Sequence, residues 1–291
     1  MSVNQVLISL FSRLPLRLLY AIEPCATFIV YRLLKYRRKI IIGNISRSFP
    51  SKRPDEIEFI AKQFYRHLTI ITFEALKSRR IPVKEMCERF HLNNPELIEQ
   101  LSEQYGGVLL MMPHYGNWEW GGCVGNQLKT PSIGFYKTLH NPKDNAMMLA
   151  DRNRFKMEMK PVNQSARVML KNKNSKNSYG ILFDQHPVGT KQLDWMTFLN
   201  QPTEINTTPA KMAAKFGYPL IYLYQTSPKQ GFYETTAEMI EEHPKKENAT
   251  AITKKYMRIL EKQINENPSE WLWSHRRWKS KAPEDFEISH D

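Results

Sequence analysis

Apolar and polar positions follow a helical period in the first quarter of this chain and an alternation of strand and helix patterns afterwards. From residue 51 to residue 79, apolar residues recur at helical spacing, which predicts one long amphipathic helix. Further on, unbroken apolar runs predict short buried strands at 108–112, 132–136, 179–183 and 219–224. Helical patterns predict helices at 142–155, 165–171 and 208–216.

Helices that alternate with short buried strands are typical of an α/β fold. We therefore expect a mixed, largely parallel sheet flanked by helices. The 291 residues are enough to bury a substantial core. We expect one α/β domain over residues 37–291, preceded by a separate segment of apolar, membrane-associating helices over residues 1–36.

The N-terminal segment has three apolar stretches, at 6–11, 14–22 and 26–34. Charged residues and prolines interrupt them, namely Arg13, Pro15, Arg17, Glu23 and Pro24. Because a membrane-spanning helix needs about 20 consecutive apolar residues, the pattern favours two short helices, broken near Pro15 and Pro24, that lie in the bilayer interface. The alternative is an amphipathic hairpin packed on the protein's own core.

A basic cluster follows this segment at once and consists of Arg32, Lys35, Arg37, Arg38 and Lys39. Next to an apolar segment, such a cluster favours the cytoplasmic, anionic side of a membrane. The alternative is a solvated helix end.

The whole chain is strongly basic, with 42 Lys and Arg against 29 Asp and Glu and a formal charge of +13. Such an excess indicates an anionic partner: a nucleic acid, an anionic membrane or an acidic protein. The three cysteines lack the spacing of metal ligands. We therefore expect a reducing compartment, with neither structural disulfides nor zinc.

One predicted strand delivers a histidine into a turn. The apolar run ends at Pro113, and His114-Tyr-Gly-Asn-Trp-Glu119 follows, with Asn117 as a candidate helix cap. On one continuous helix His114 and Glu119 would lie about 140° apart, so they meet only if His114 precedes the helix. A neutral imidazole there can take the proton of a hydroxyl, while Glu119 on its other nitrogen fixes the tautomer. The alternative is a histidine that caps a helix or satisfies a buried polar group.

Polar side chains also follow two other predicted strands. Lys137 comes after the strand at 132–136, and Asp184-Gln185 ends the strand at 179–183. In open α/β sheets, ligands bind outside the carboxyl ends of the strands, so we expect His114, Lys137 and Asp184 to share one edge. For Asp184 the alternative is capping of backbone groups.

Three cations lie near this predicted edge: Lys137, Arg152 and Arg154. The planar fork of arginine suits phosphate, and a cation beside a reacting carbonyl offsets developing negative charge. The alternative for each residue is a basic helix face on a basic protein.

His114-Tyr-Gly-Asn-Trp-Glu119 resembles the histidine-x4-acid motif of the lysophospholipid acyltransferase superfamily. Four more segments, in the same order, resemble one branch, the bacterial late acyltransferases of lipid A biosynthesis. They are Arg37-Arg-Lys-Ile-Ile-Ile-Gly-Asn44 with Ser48-Phe-Pro50, Arg152-Asn-Arg154-Phe155, Phe183-Asp184-Gln185, and Trp271-Leu-Trp273-Ser-His-Arg276-Arg-Trp278-Lys279. The resemblance spans nearly the whole chain.

The resemblance implies a glycerolipid acyltransferase-like fold and an O-acyltransferase on the cytoplasmic face of the bacterial inner membrane. It implies acyl-carrier protein as the thioester donor, no cofactor, and a phosphorylated, acylated glucosamine disaccharide as the acceptor. His114 would be the general base, Glu119 would orient it, and Lys137, Arg152, Arg154, Asp184 and Gln185 would bind substrate. In this family an arginine is important in the region that aligns with Arg152 or Arg154, and both assignments stay open.

The chain departs from the family pattern in two places. Glu119 stands where aspartate is common in the wider superfamily, and Lys137 stands where arginine is often found. The second change puts a bidentate phosphate contact in doubt. The acceptor therefore stays open between a lipid A precursor and another bacterial lipid, such as an aminolipid or a lysophospholipid.

Two other functional classes, nucleic-acid binding and cysteine hydrolysis, can be compared with the sequence. The basic charge is compatible with nucleic-acid binding, but we find no zinc-finger spacing or RNP-type aromatic motif. Gly121-Gly-Cys123-Val-Gly125 matches the outline of a hydrolase elbow, which requires a strand immediately before the nucleophile. Here the preceding residues are predicted to be helical, so small residues that let a helix pack close to the sheet explain the glycines better.

The C-terminal segment from Trp271 to Lys279 holds three of the six tryptophans. Mixed with cations, they are compatible with a membrane-interface belt. We favour the alternative, a core element that closes the fold.

Overall fold

The computed structural model describes residues 11–139, 141–187, 189 and 193–288. Most of the apolar stretch at 6–11 therefore lies outside the described residues. The chain forms two compact units. One comprises the residues up to Arg80, then Gln185–Asn206 and the residues from Met257 onward, and the other comprises Ile81–Asp184 and Thr207–Tyr256.

The second unit contains a seven-stranded sheet in the described part of the chain. Its strands are β1 (Phe90–Leu92), β2 (Gly107–Met112), β3 (Ser132–Tyr136), β4 (Glu158–Pro161), β5 (Asn177–Leu182), β8 (Leu220–Lys229) and β9 (Phe232–Glu241). Their order is β1-β9-β8-β2-β5-β3-β4. All neighbours are parallel except β8 and β9. The predicted mixed, largely parallel sheet is confirmed.

Helices flank this sheet. They are α4 (Val83–Arg89), α5 (Pro95–Tyr105), α6 (Cys123–Gln127), α7 (Pro142–Arg152), α8 (Ser165–Lys171), α9 (Thr208–Phe216) and the first turns of α10 (Ala249–Glu266). Every residue of β2 is buried. An all-apolar strand is stable there because β5 and β8 pair with its two edges and both faces of the sheet are covered.

The first unit contains α1 (Leu16–Phe28), a π-helical turn (Ile29–Leu33), α2 (Arg38–Ser48), α3 (Pro54–Ser78) and the hairpin of β6 (Leu193–Phe198) and β7 (Gln201–Asn206). The long helix predicted at 51–79 is α3. Pro54 occupies its first turn, where the missing N–H of proline costs nothing.

The prediction of a helix break near Pro24 is wrong, because α1 continues through that residue. The neighbouring Glu23 connects α1 to α3. Its side chain is 3% exposed and accepts hydrogen bonds from Thr27 at 2.7 Å and from Arg66 on α3 at 3.1 Å. The contact with Arg66 fixes the helix against α3 next to the internal proline. The predicted break near Pro15 is confirmed, since α1 begins directly after it.

The other side of α1 and the turn after it expose large apolar side chains, namely Leu18, Phe28, Ile29, Leu33, Leu34 and Tyr36. We call these six residues the apolar surface patch. Among the residues that the structure describes, no helix combines the length and the apolar character needed to span a bilayer.

The C-terminal tryptophans belong to the core of the first unit, as we favoured. Trp271 is 3% exposed, Trp273 is fully buried, and their rings meet edge to face at 4.7 Å. The Asn44 side chain donates to the backbone carbonyls of Trp273 and His275, each at 2.9 Å. Two of the segments that carry the family resemblance therefore stabilise one another.

Candidate active site

Three neighbouring parallel strands, β2, β5 and β3, end at the same edge of the sheet. His114 follows β2, Asp184 follows β5, and Lys137 follows β3. The predicted convergence of these strand ends is confirmed. Lys137 is exposed, whereas Asp184 is 1% exposed.

The imidazole of His114 is paired with the buried carboxylate of Asp184. Its Nδ1 lies 2.6 Å from Asp184 Oδ1, and the backbone N–H of His114 donates to the same oxygen at 3.0 Å. In a neutral imidazole, donation from Nδ1 to this carboxylate leaves the lone pair on Nε2. The His114 side chain is 16% exposed, and its ring meets that of Trp118 edge to face at 5.5 Å. The site thus holds a histidine in the tautomer that a general base needs.

The turn after His114 is held by Gln225, a residue on β8 that sequence reasoning missed. Gly116 has a φ of +59°, and a Cβ there would lie 1.9 Å from Gln225 Oε1. The same oxygen accepts the Asn117 N–H at 2.5 Å. Asn117 in turn caps the 3-10 helix Trp118–Trp120 through Trp120 N at 3.2 Å, as predicted. Glycine is therefore required at this position, and His114 lies in a turn ahead of the helix.

Two features of the β8 sequence could have pointed to residues near the site, Gln225 and Tyr222. Gln225 is a polar residue directly after the apolar run of β8, and Tyr222 lies inside that run. Burial raises the pKa of Tyr222 well above its ordinary value, and the nearby charge of Asp184 adds to the effect. The phenol consequently stays neutral beside the carboxylate.

Glu119 contacts partners other than His114. Its carboxylate lies 3.8 Å from the Arg152 guanidinium and accepts from Trp118 Nε1 at 3.2 Å. Within the described residues, no hydrogen bond or ion pair joins Glu119 to His114. The carboxylate on the imidazole comes from Asp184 instead, and the orienting role of Glu119 stays a prediction.

The structure distinguishes the two arginines that the sequence left open. Arg152 is the last residue of α7 and lines a cavity beside Glu119. Arg154 donates to the carbonyl oxygen of Ile81 at 2.6 Å. Arg152 therefore lines the cavity and Arg154 does not, and the contact of either arginine with substrate stays a prediction. Gln185 is half-buried in the first unit, and its contact with substrate stays a prediction.

The cavity has a volume of about 80 Å³. Its polar lining consists of Trp118, Glu119 and Arg152. The other lining residues are apolar or glycine: Leu110, Met112, Gly121, Gly122, Val124, Gly134, Phe135, Phe155, Met157, Met159, Gly180, Ile181, Leu182 and Leu223. The His114 ring meets that of Trp118, which lines the cavity, so the histidine lies next to one of its walls. A lining that is almost entirely apolar suits a hydrocarbon ligand.

The elbow interpretation of Cys123 is not supported. Cys123 is fully buried, and the residues before it form a 3-10 turn rather than a strand. The adjacent Cys87 thiol and burial raise its pKa, so the thiol stays protonated. A Cβ at Gly122 would lie 2.5 Å from the Phe155 ring, and one at Gly125 would lie 2.8 Å from Lys156 O. Close packing explains the glycines, as we favoured.

Within the described residues, no cluster of three or more histidine, cysteine or carboxylate side chains could hold a metal ion. That the protein works without a cofactor stays a prediction.

Comparison with known proteins identifies the family of the chain. The family described as bacterial lipid A biosynthesis acyltransferase matches residues 3–280. A lipid A biosynthesis palmitoleoyltransferase of Escherichia coli K12 is 24% identical over 260 residues, which cover 85% of this chain and 80% of the relative. A lipid A biosynthesis acyltransferase of Shigella flexneri matches with the same identity and coverage. The chain therefore belongs to the bacterial lipid A biosynthesis acyltransferase family and is an acyltransferase.

Proposed function

We propose that this enzyme transfers a fatty acyl chain from the thioester of acyl-carrier protein to a hydroxyl of a lipid A precursor, with His114 as the general base. The observation that carries the proposal is the His114–Asp184 pair, whose imidazole meets Trp118 in the lining of an apolar cavity. A base beside a hydrocarbon pocket suits a reaction between an acyl chain and a hydroxyl.

The reaction needs no nucleophile from the enzyme. Nε2 of His114 takes the proton of the acceptor hydroxyl as its oxygen attacks the thioester carbonyl. Asp184 holds the ring and stabilises the imidazolium that forms. When the tetrahedral intermediate collapses, the carbon–sulfur bond breaks, the ester remains on the acceptor, and the proton passes from His114 to the departing thiolate.

Arg152 is the cation for the developing oxyanion, because it lines the cavity next to Glu119. Glu119 sets the position of its guanidinium. An acylated disaccharide carries phosphates, and Lys137, which is exposed at the end of β3, is available to bind one. Arg154 and Gln185 complete the predicted substrate contacts.

The apolar surface patch anchors the protein on the cytoplasmic face of the inner membrane, where a lipid acceptor resides. Leu33 and Leu34 are 64% and 69% exposed, and Arg32 and Lys35 beside them are exposed too. Apolar side chains flanked by cations suit an anionic bilayer surface. The net charge of +13 also suits acyl-carrier protein, an acidic partner. We expect no nucleic-acid partner.

The test is acyl transfer from labelled acyl-carrier protein, measured for detergent-solubilised wild type, His114→Ala and the control His91→Ala. His91 is exposed on β1, so its loss should leave transfer unchanged. A tetra-acylated lipid A precursor and a lysophospholipid serve as parallel acceptors. We expect transfer to the disaccharide lipid that is lost only in His114→Ala.

Each other outcome has a distinct meaning. Transfer to the lysophospholipid alone would keep the mechanism and replace the acceptor. Full activity in His114→Ala would make His114 a structural turn residue and overturn the proposal. Salt-dependent binding of DNA without any acyl transfer would favour the nucleic-acid alternative.

A further inference from the structure

Two glycines lie side by side in the middle of the sheet. Gly180 on β5 pairs with Leu110 on β2 and with Gly134 on β3, and Gly134 pairs with Met159 on β4. All four residues line the cavity described above. Between Leu110 and Met159, the two central positions of the cavity floor therefore carry no side chains of their own.

The space above Gly180 is different from that above Gly134. A Cβ on Gly134 would lie 2.8 Å from the sulfurs of Met157 and Met159, two flexible side chains that cover this glycine. A Cβ on Gly180 would have no heavy atom of the described residues within 4 Å, apart from its chain neighbours. The protein itself thus fills the space over Gly134 and leaves the space over Gly180 to the cavity.

Neither backbone conformation nor packing requires a glycine at position 180. Its φ lies outside the left-handed region, so an L-residue fits the backbone. Glycine inside a strand weakens the strand and often marks a bulge, a tight bend, or the close approach of another backbone or of a ligand. β5 pairs with β2 and β3 in unbroken register across Gly180, and no other backbone of the described residues closes over this residue, which leaves a ligand as the reason.

We propose that Gly180 sets the maximum length of the acyl chain that this enzyme transfers. The inference rests on the proposed function and deepens it. The thioester lies at the polar part of the lining, formed by Trp118, Glu119 and Arg152, and the hydrocarbon chain extends inward over Gly180. Met157 and Met159 close the far side over Gly134, where their flexible thioethers adapt to the chain end.

A side chain at position 180 shortens the cavity without disturbing its walls. Each methylene that loses its place costs a factor of about four in binding, which corresponds to about 0.8 kcal/mol. Gly180→Val adds three carbon atoms, so we expect the preferred donor to become at least two carbons shorter. Relative kcat/KM for the longest donor should fall by about tenfold or more. Gly180→Ala should give a smaller shift in the same direction.

The first measurement is competition among saturated acyl-carrier protein donors from octanoyl to hexadecanoyl, with products separated by mass. Wild type, Gly180→Ala and Gly180→Val are compared, and the shortest donors serve as an internal control. We expect unchanged kcat/KM for short donors and a graded loss for long ones. An unchanged length profile in a folded, active Gly180→Val would overturn the inference.

A binding measurement separates this inference from the proposed chemistry. Fatty acids of increasing length displace the fluorescent probe cis-parinaric acid from each variant. A shift toward shorter competitors without any acyl transfer would keep the cavity assignment and overturn the proposed function. Equal displacement profiles in wild type and Gly180→Ala would overturn the cavity assignment. If Gly180→Val does not fold, the length profile of Gly180→Ala alone tests the inference.

Discussion

His114 Nδ1 and Asp184 Oδ1 are 2.6 Å apart although the two residues are separated by 70 positions in the chain. The same carboxylate oxygen also accepts the His114 backbone N–H at 3.0 Å. The two hydrogen bonds fix both the ring and the turn that carries it. Since Nδ1 is occupied, Nε2 is the nitrogen that can accept a proton from a substrate.

We expect Asp184→Asn to lower kcat by a factor of about 10²–10⁴ with little change in KM. An amide can donate to Nδ1 and so favour the wrong tautomer, and it cannot stabilise the imidazolium. Steady-state kinetics over a range of pH values measure the effect, because a change in the ionisation of His114 moves the pH profile. The control Asp144→Asn removes an exposed carboxylate on α7 and should change neither quantity. A normal pH profile in a folded Asp184→Asn variant would contradict the positioning role.

Glu119 and Arg152 should behave as one functional unit. We expect Arg152→Ala to lower kcat by a factor of about 10²–10³, the effect of losing one oxyanion donor. If Glu119 acts by positioning Arg152, Glu119→Gln should cost less, and it should cost almost nothing in the Arg152→Ala background. A double-mutant cycle measures this coupling. If Glu119→Gln is as damaging in the double variant as in wild type, Glu119 acts on His114 or on substrate directly.

Gly116→Ala should destabilise the fold and inactivate the enzyme. Its φ of +59° strains an L-residue, and the new Cβ would collide with Gln225 Oε1. We expect a loss of about 1–3 kcal/mol in the free energy of unfolding. Denaturant unfolding and acyl transfer are measured on the same variants. The double variant Gly116→Ala/Gln225→Ala tests whether the collision with Gln225 causes the loss of stability. Relief of the collision should recover part of the stability, whereas no recovery would mean that backbone strain alone is responsible.

The stability of the protein should depend on pH through His186. Burial lowers the pKa of His186 below its ordinary value of 6.5, the charges of Arg277 and Lys279 lower it further, and Glu204 opposes the shift. As pH falls below 6.5, the unfolded chain binds this proton before the folded protein does, so the free energy of unfolding decreases until the folded pKa is reached.

His186→Gln should therefore flatten the decline of stability below pH 6.5, as measured by chemical denaturation at several pH values. The exposed His91→Gln serves as the control. An equally steep decline in His186→Gln and wild type would show that other groups carry the pH dependence.

The apolar surface patch should bind membranes. We expect Leu33→Ser combined with Leu34→Ser to reduce binding to vesicles of anionic phospholipid by about tenfold or more, since each leucine that leaves an apolar environment costs about 1.5–3 kcal/mol. Vesicle flotation measures the bound fraction. Leu170→Ser is the matched control, because Leu170 is 60% exposed on α8, outside the patch. Equal loss of binding in both variants would exclude a specific role for the patch.

The local pattern of apolar and polar residues was enough to predict several strands and helices of the second unit. The strand predicted at 132–136 and the helices predicted at 165–171 and 208–216 have those bounds in the structure. Unbroken apolar runs and short helical repeats are local signals, and burial on both faces makes them strong. The predicted helix at 142–155 ends earlier, at Arg152, because Asn153 caps it and Phe155 turns into the core.

Elements with weaker local patterns were not predicted. β9 alternates buried and more exposed residues and contains three polar or charged positions in its first half, Glu234, Thr235 and Thr236, so it gives no apolar run. In the hairpin of β6 and β7, polar and apolar residues are also mixed, so neither strand gives an apolar run. Such strands form because a partner strand supplies their hydrogen bonds, and the partner is not visible in the local sequence.

The sequence by itself determined the family, the strand that carries His114 and the three strand ends that meet at one edge. Only the tertiary structure decided which carboxylate meets the imidazole, which arginine lines the cavity, and where the cavity floor is bare. Each of these depends on strand order and on side chains far apart in the chain. Asp184 rather than Glu119 reaches His114 because β5 lies next to β2, and Gly180 and Gly134 form one floor because β3 lies next to β5.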